Sequence, residues 1–124
     1  MRRIGYIIVA ILITSVVLTA CGGGGGTSSD PAIEAGKKLF SETVIGTQAG
    51  CITCHSLTPG EVIVGPSMAG IGSRGDANYI RTSILDPNAE LVEGFPADTM
   101  PSVWGTELNS EQVDQLVAYL QTLK

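Results

Sequence analysis

Two cysteines and a histidine stand together near the middle of the chain, in Cys51-Ile52-Thr53-Cys54-His55. Cysteines at positions i and i+3 lie on one side of a helical turn, so their sulfurs can add to the two vinyl groups on one edge of a porphyrin. The histidine that follows can then bind the iron from one face. The C-x-x-C-H pattern is the attachment signature of covalent haem, and we predict one haem c bound by these residues.

Other uses of the same residues fit the sequence less well. A structural zinc site needs four ligands, whereas the chain has no second C-x-x-C and its third cysteine, Cys21, lies far from the motif. A thioredoxin-like redox pair is expected within a βαβ pattern, which the sequence lacks. A disulfide between Cys51 and Cys54 is a further alternative, but it would not compensate for a core with few aromatic side chains.

The second axial ligand of the iron must come from another residue, because His55 is the only histidine. Methionine is a common second ligand in electron carriers and raises the potential. Met68 stands among small residues, where methionine more often serves in packing. Met100 lies in a long loop directly before Pro101, whose fixed backbone can hold a loop ligand steady. We predict Met100, with Met68 as the alternative; an open sixth position, as in a gas sensor or a peroxidase, is the other possibility.

Three helices are predicted to position these residues. The first begins at Pro31 behind a cap at Asp30, and the second follows a cap at Asp76. The third follows a capping box made by Asn109 and Gln112 and continues with apolar residues at helical spacing. No segment of useful length alternates with a strand period, so we expect an all-α fold.

Long connections separate the predicted helices, at residues 43–75 and 86–103. A structureless loop as long as the second is uncommon in a compact domain unless it wraps around something. The folded part also holds only five aromatic residues, since Tyr6 lies near the N-terminus. A core with so few aromatics often needs a cofactor, and we therefore expect the loops to surround a large buried ligand.

The N-terminus has the pattern of a secretory signal peptide, with two arginines before an uncharged apolar run. The run ends in a sequence similar to the lipobox of bacterial lipoproteins, Leu18-Thr19-Ala20-Cys21. We predict a lipoprotein-type signal peptide at 1–20, a lipidated Cys21 that begins a Gly/Ser linker at 21–29, and one folded domain at 30–124. An uncleaved helical anchor with an unmodified Cys21 is the alternative. Both place the domain outside the cytoplasm at a bacterial membrane.

Charge and composition exclude several classes of function. The 124 residues carry a net charge of −5. Removal of residues 1–20 lowers the basic count from 7 to 5 against 12 acidic residues, so the mature chain has a net charge of −7. Without a basic surplus, binding of nucleic acid is not expected. A single histidine excludes any site that needs two imidazoles, and the length excludes a two-domain enzyme.

With these motifs the chain resembles a class I cytochrome c over most of residues 31–124. Besides the haem motif and the Met100-Pro101 segment, the resemblance rests on Gly36, Phe40 and Tyr119. It implies a small all-α fold in which the first and last helices cross closely at Gly36. It also implies that the protein carries electrons and is not an enzyme.

The resemblance also implies roles around the iron. His55 and Met100 would be the axial ligands, and the carbonyl of Pro66 would accept a hydrogen bond from the proximal imidazole and fix its tautomer. Arg74 and Trp104 both carry donors that could reach a haem propionate. Their alternative roles are an exposed surface arginine and a packed core tryptophan.

A more specific similarity involves residues 79–87, residues 92–95 and the Met100-Pro101 segment. These are similar to the haem c domain fused to subunit II of some bacterial haem–copper oxidases. Since this chain has no copper-binding domain, the similarity implies a free-standing, monomeric lipoprotein carrier. Its implied partners are a quinol-oxidising complex and a terminal oxidase. With so few basic residues, the chain is expected to dock either on a basic partner surface or through an apolar contact around the haem edge.

Overall fold

A computed structural model describes residues 30–124; the predicted signal peptide, the lipidated Cys21 and the linker lie outside the described residues. The described part contains six helices and one two-stranded antiparallel sheet. In chain order these are α1 Pro31–Phe40, β1 Val44–Ile45, β2 Gln48–Ala49, α2 Cys51–Cys54, α3 Ile71–Arg74, α4 Ala77–Leu85, α5 Trp104–Glu107 and α6 Ser110–Thr122. Within residues 30–124, no helix is long and apolar enough to span a bilayer.

The three predicted helices are confirmed as α1, α4 and α6, and each begins at its expected cap. Asp30 accepts a hydrogen bond from the amide of Ala32 at 2.9 Å. Asp76 accepts one from the amide of Tyr79 at 2.8 Å. In α6 the Asn109 and Gln112 side chains each accept a bond from the other residue's amide. Each cap satisfies donors that would otherwise have no partner in the first turn.

Helices α1 and α6 form the closest crossing in the domain, and Gly36 makes it possible. A Cβ at Gly36 would overlap the backbone carbonyl of Gln115. One turn further along, the rings of Phe40 and Tyr119 meet with centroids 5.8 Å apart and planes inclined at 56°. Tilted contacts of this kind are favoured between aromatic rings. The crossing at Gly36 implied by the family resemblance is therefore present in the structure.

Helix α6 and the residue that follows it also contact α3 and α4. The amide of Gly72 donates to the Leu123 carbonyl at 2.8 Å, and the Gln121 side chain donates to the Gly75 carbonyl at 2.8 Å. Arg81 of α4 pairs with Asp114 of α6. Through these contacts α6 connects the N-terminal helix with the segments that follow the haem motif.

The core is a single cluster of apolar side chains around α6. Its buried members are Phe40, Ile45, Ile71, Ile80, Ile84, Trp104, Leu108, Val113, Leu116, Val117, Tyr119 and Leu120. Met68 and Met100 are partly buried and pack against the cluster. Both candidate methionines thus lie at the boundary between the core and the space it encloses.

The structure adds short elements to the three predicted helices. The expected three helices are joined by α2, α3 and α5, each a single turn of four residues, which is too short for hydrophobic periodicity to reveal. The predicted all-α class is kept, with one small addition: β1 and β2, of two residues each, form a hairpin that turns at Gly46 with φ of +59°. Glu107 holds this turn from α5, accepting bonds from the Thr47 hydroxyl at 2.7 Å and the Thr47 amide at 3.2 Å. Local sequence does not predict a contact between residues 60 positions apart.

Gly36→Ala tests the helix crossing. Alanine gains about 1 kcal/mol of helix propensity over glycine, but its Cβ would overlap the Gln115 carbonyl, and overpacking costs roughly 1–3 kcal/mol. We expect a net loss of stability, which is measured by the thermal and denaturant unfolding of the haem-loaded protein. The matched control is Gly105→Ala in α5, where the nearest atom to an added Cβ is 3.9 Å away. Equal stability of the two variants would contradict the tight crossing.

Candidate functional site

The segment before the haem motif is fixed by backbone contacts. The amide of Gly50 donates to the Thr43 carbonyl at 2.8 Å, and a Cβ at Gly50 would overlap the carbonyl of Glu42. The Thr53 hydroxyl donates back to the Gly50 carbonyl at 2.5 Å. The hairpin therefore delivers the chain directly into α2, whose single turn brings both cysteines of the motif to the wall of one cavity.

Cys51 and Cys54 are not joined by a disulfide, so both sulfurs are available for attachment to haem. Burial raises the pKa of the Cys51 thiol to about 11. An unattached thiol at this position would be neutral at pH 7, and a thioether bond there replaces a titratable group with one that has no charged form. A covalent link suits the apolar surroundings of this sulfur better than a thiolate would.

The imidazole of His55 is oriented by two neighbouring residues. Its Nδ1–H donates to the carbonyl of Pro66, with the two atoms 2.8 Å apart. Since a carbonyl can only accept, this bond places the proton on Nδ1 and leaves the lone pair of Nε2 available to a metal. Gly65 lies directly against the ring, and a Cβ there would be 2.5 Å from Cε1 and 2.8 Å from Nδ1. Sequence reasoning singled out Pro66 but missed the requirement for a glycine beside it.

The loop after His55 is held by its own hydrogen bonds. Buried Ser56 donates its hydroxyl to Glu61 and accepts the amide of Thr58 at 2.9 Å. The Ser67 hydroxyl donates to the Thr58 carbonyl at 2.7 Å. The amide of Met68 donates to the Ser56 carbonyl at 2.8 Å. These bonds fix Met68 to the same stretch of chain that carries His55.

A cavity of about 810 Å³ lies between this loop, the core and residues 86–103. Its size is within the roughly 300–1,000 Å³ of typical cofactor pockets. Cys51, Cys54 and His55 line it, as do the candidate site residues Pro66, Met68, Arg74, Met100 and Trp104. The structure thus brings all the predicted haem-site residues to one cavity.

Met100 reaches the cavity from the long loop at residues 86–103. Two hydrogen bonds between Asn88 and Asp98 cross-link this loop. The Asn88 side chain donates to the Asp98 carboxylate at 2.8 Å and accepts a hydrogen bond from the Asp98 amide at 2.9 Å. Asp98 has a φ of +59°, a conformation that aspartate and asparagine tolerate better than most residues. The sequence predicted the loop and its methionine but gave no sign of this cross-link.

Arg74 lies at the cavity with its guanidinium directed at backbone oxygens. It donates to the Ser67 carbonyl at 2.9 Å and also to the Ala69 carbonyl. The side chain is exposed, as its alternative role required, yet it also stabilises the turn that follows Pro66. A guanidinium has five donors, so these two bonds do not exhaust it.

Trp104 is 4% exposed, and its indole Nε1–H has no hydrogen-bond partner among the described residues. A buried donor without a partner costs roughly 1–3 kcal/mol. A porphyrin carries two carboxylates, and either could supply the missing acceptor. This orphaned donor, the two cysteines at the cavity wall and the Nε2 lone pair of His55 all fit a haem held in this cavity.

A family model described as cytochrome c matches residues 33–124. The chain belongs to the cytochrome c family. Among solved structures, the c-type cytochrome SorU from Sinorhizobium meliloti is 21% identical, covers 74% of this chain and 90% of its own, and superposes with a TM-score of 0.45. Comparison with curated proteins gave no match. Family membership confirms the predicted all-α class I cytochrome c fold and one haem c bound covalently through Cys51-x-x-Cys54-His55.

Gly65→Ala tests how this cytochrome orients its proximal histidine. The added Cβ would displace the His55 ring and break its bond to the Pro66 carbonyl, and loss of such a supporting contact typically weakens metal binding about 10–100-fold. Because protons compete with iron for Nε2, the acid midpoint for loss of the iron–histidine bond should rise by about 1 pH unit or more. Resonance Raman spectra during an acid titration measure this. Gly105→Ala is the control, and an unchanged midpoint in Gly65→Ala would contradict the proposed contact.

Proposed function

We propose that the protein is a membrane-anchored, monomeric monohaem cytochrome c that transfers single electrons between redox partners outside the cytoplasm. The observation that carries this proposal is the arrangement of His55 and Met100, which approach one apolar cavity from different segments of its wall. The haem supplies a one-electron iron couple when bound. The chain's own residues set its potential through axial ligation, hydrogen bonding and exclusion of water; no catalytic step is assigned to them.

The backbone contacts favour Met100 over Met68 as the second axial ligand. Met68 is bonded through its amide to the carbonyl of Ser56, so it belongs to the wall that carries His55. Met100 belongs to the loop at 86–103, which is fastened by the Asn88–Asp98 bonds. A ligand from this second wall can approach the face of the iron that His55 leaves free.

An open sixth position, as in a haem sensor or a peroxidase-like protein, is the alternative function. It would require the Met100 sulfur to stay away from the iron although its loop is cross-linked. The two functions differ in simple observations. A carrier shows the weak far-red charge-transfer band of methionine-ligated ferric haem, whereas an open site binds carbon monoxide rapidly when reduced.

The proposed anchor is a diacylglycerol on Cys21, followed by the Gly/Ser linker at residues 22–29. Two acyl chains give stable membrane attachment where one is marginal. About eight linker residues span roughly 15 Å on average, so the haem domain would stay near the membrane and could rotate. The proposed location is therefore the outer or periplasmic face of a bacterial membrane.

The proposed partners are a quinol-oxidising complex as donor and a terminal oxidase as acceptor. This proposal rests on the similarity of residues 79–87 and of the Met100-Pro101 segment to the haem c domain of oxidase subunit II. In those enzymes the haem domain is fused to its acceptor; here a lipid anchor would keep the two in the same membrane and raise their effective concentration.

Met100→Ala tests the carrier function. Loss of a thioether ligand removes an interaction that favours ferrous iron, so the potential should fall by roughly 100 mV or more, about 2 kcal/mol for a one-electron couple. The far-red band should disappear and the reduced protein should bind carbon monoxide. Met68→Ala is the matched control and should keep the band. If Met68→Ala lost the band while Met100→Ala kept it, the ligand assignment would be wrong; if the unaltered protein lacked it and bound carbon monoxide, the sensor would be favoured.

The anchor is tested by mass spectrometry of the protein from native membranes. We expect no peptide from residues 1–20 and a diacylglycerol on Cys21. The control is Cys21→Ser, which should release the haem domain from the membrane fraction or leave the signal peptide uncleaved. An intact N-terminus in the unaltered protein would contradict lipidation and favour the helical anchor.

A further inference from the structure

The two segments that border the mouth of the haem cavity share an unusual charge pattern. Residues 56–66 and 86–103 contain no lysine or arginine. They contain five exposed carboxylates, Glu61, Asp86, Glu90, Glu93 and Asp98. We call these five residues the acidic mouth. Glu90 itself lines the cavity, and each of the other four carboxylates is next in the chain to a residue that lines it.

The basic residues of the domain do not neutralise this charge. Arg81 pairs with Asp114, Arg74 donates to the backbone, and Lys124 donates to the Gly72 carbonyl. Lys37 and Lys38 are on α1. Among residues 30–124, no lysine or arginine forms an ion pair with the acidic mouth.

Exposed apolar side chains gather in the same two segments. Residues 30–124 contain eight large apolar side chains that are exposed. Six of them lie here: Leu57, Val62, Ile63, Val64, Leu91 and Val92. A bound haem would cover part of the three that line the cavity, Val64, Leu91 and Val92. Val62 and Ile63 do not line it and are 59% and 51% exposed, so the haem leaves them open to solvent.

We propose that this surface docks a redox partner protein whose contact face has an apolar centre bordered by lysine and arginine. The proposal rests on the proposed electron-transfer function and specifies the partner's chemistry. Charge complementarity selects the occupant. Five carboxylates that form no ion pair outnumber Arg74, the one lysine or arginine that lines the cavity. Their excess negative charge repels an acidic protein and attracts a basic one. The exposed valine and isoleucine supply the water-excluding contact next to the haem.

Such a surface acts mainly on the rate of encounter. Opposite charges steer two proteins together and raise the association rate, and salt screens this effect because the Debye length falls to roughly 10 Å at 0.1 M. The apolar centre is unaffected by salt and keeps the haem edge dry at contact. The docking site therefore has a salt-dependent part in the carboxylates and a salt-independent part in Val62 and Ile63.

The test uses the reduced haem-loaded protein and a probe with the partner's chemistry, the tris(phenanthroline)cobalt(III) cation, whose ligands are apolar. The protein loses one electron and Co(III) becomes Co(II), which is followed by stopped-flow absorbance. Ferricyanide, an anion, is the second probe. We expect the rate with the cobalt cation to fall with ionic strength and the rate with ferricyanide to rise.

Matched variants separate the local surface from the net charge. Glu90→Gln with Glu93→Gln removes two charges from the acidic mouth and should slow the cobalt reaction roughly threefold or more at low ionic strength. The control pair, Glu34→Gln with Glu111→Gln, also removes two charges, but from α1 and α6. It should slow the cobalt reaction clearly less. Val62→Ser should slow the reaction, while Val44→Ser, equally exposed on β1, should not.

The outcomes distinguish the two proposals. If the unaltered protein passed electrons to neither probe, the proposed function would fail. If it passed electrons but both charge pairs slowed the cobalt reaction equally, only the docking surface would be overturned. If Val62→Ser behaved as Val44→Ser, the apolar centre would be wrong. Sedimentation that showed a dimer broken by Val62→Ser would assign the surface to a second copy of the chain and overturn the proposed partner.

Discussion

The structure depends on filling one apolar cavity. About 810 Å³ of space lies beside a core whose largest fully buried side chains are only Phe40 and Leu116. A domain of this size has little apolar area to bury without a cofactor, and dispersion contacts are lost wherever atoms face a void. The haem therefore completes the hydrophobic core of the domain as well as serving as its redox centre. This explains why the attachment motif lies within the wall of the cavity.

Most features predicted from sequence are those set by neighbouring residues. The caps at Asp30, Asp76 and Asn109 act over two or three positions, and the haem motif occupies five consecutive residues. The crossing at Gly36 was implied by family resemblance and agrees with the structure. By contrast, the hairpin depends on Glu107, which lies 60 positions from Thr47. No local pattern encodes such a contact, so the hairpin could not be predicted. The single turns α3 and α5 were also missed, whereas the turn of α2 was expected from the spacing of the haem motif.

The same distinction applies within the site. Pro66 was identified through its resemblance to a known segment, but Gly65 is explained only by the imidazole packed against it. Arg74 was considered either a haem contact or a surface residue, whereas its guanidinium stabilises the backbone at Ser67 and Ala69. Trp104 differs from both, because its buried indole N–H still needs an acceptor. Of the two candidate donors to a propionate, Trp104 is therefore the one whose N–H group lacks an acceptor among the described residues.

The proposed anchor and the proposed docking surface would impose different demands on the partner interface. An electron carrier must release its partner after each transfer, and such encounters bury less area than stable complexes, commonly below about 1,200 Å². A lipid anchor on Cys21 would keep the local concentration of partners high, so tight binding would bring no advantage. Charge complementarity increases the rate of encounter without requiring slow dissociation. An acidic mouth around a small apolar contact therefore suits a tethered carrier, because the charges orient the approach while the contact remains weak enough for rapid turnover.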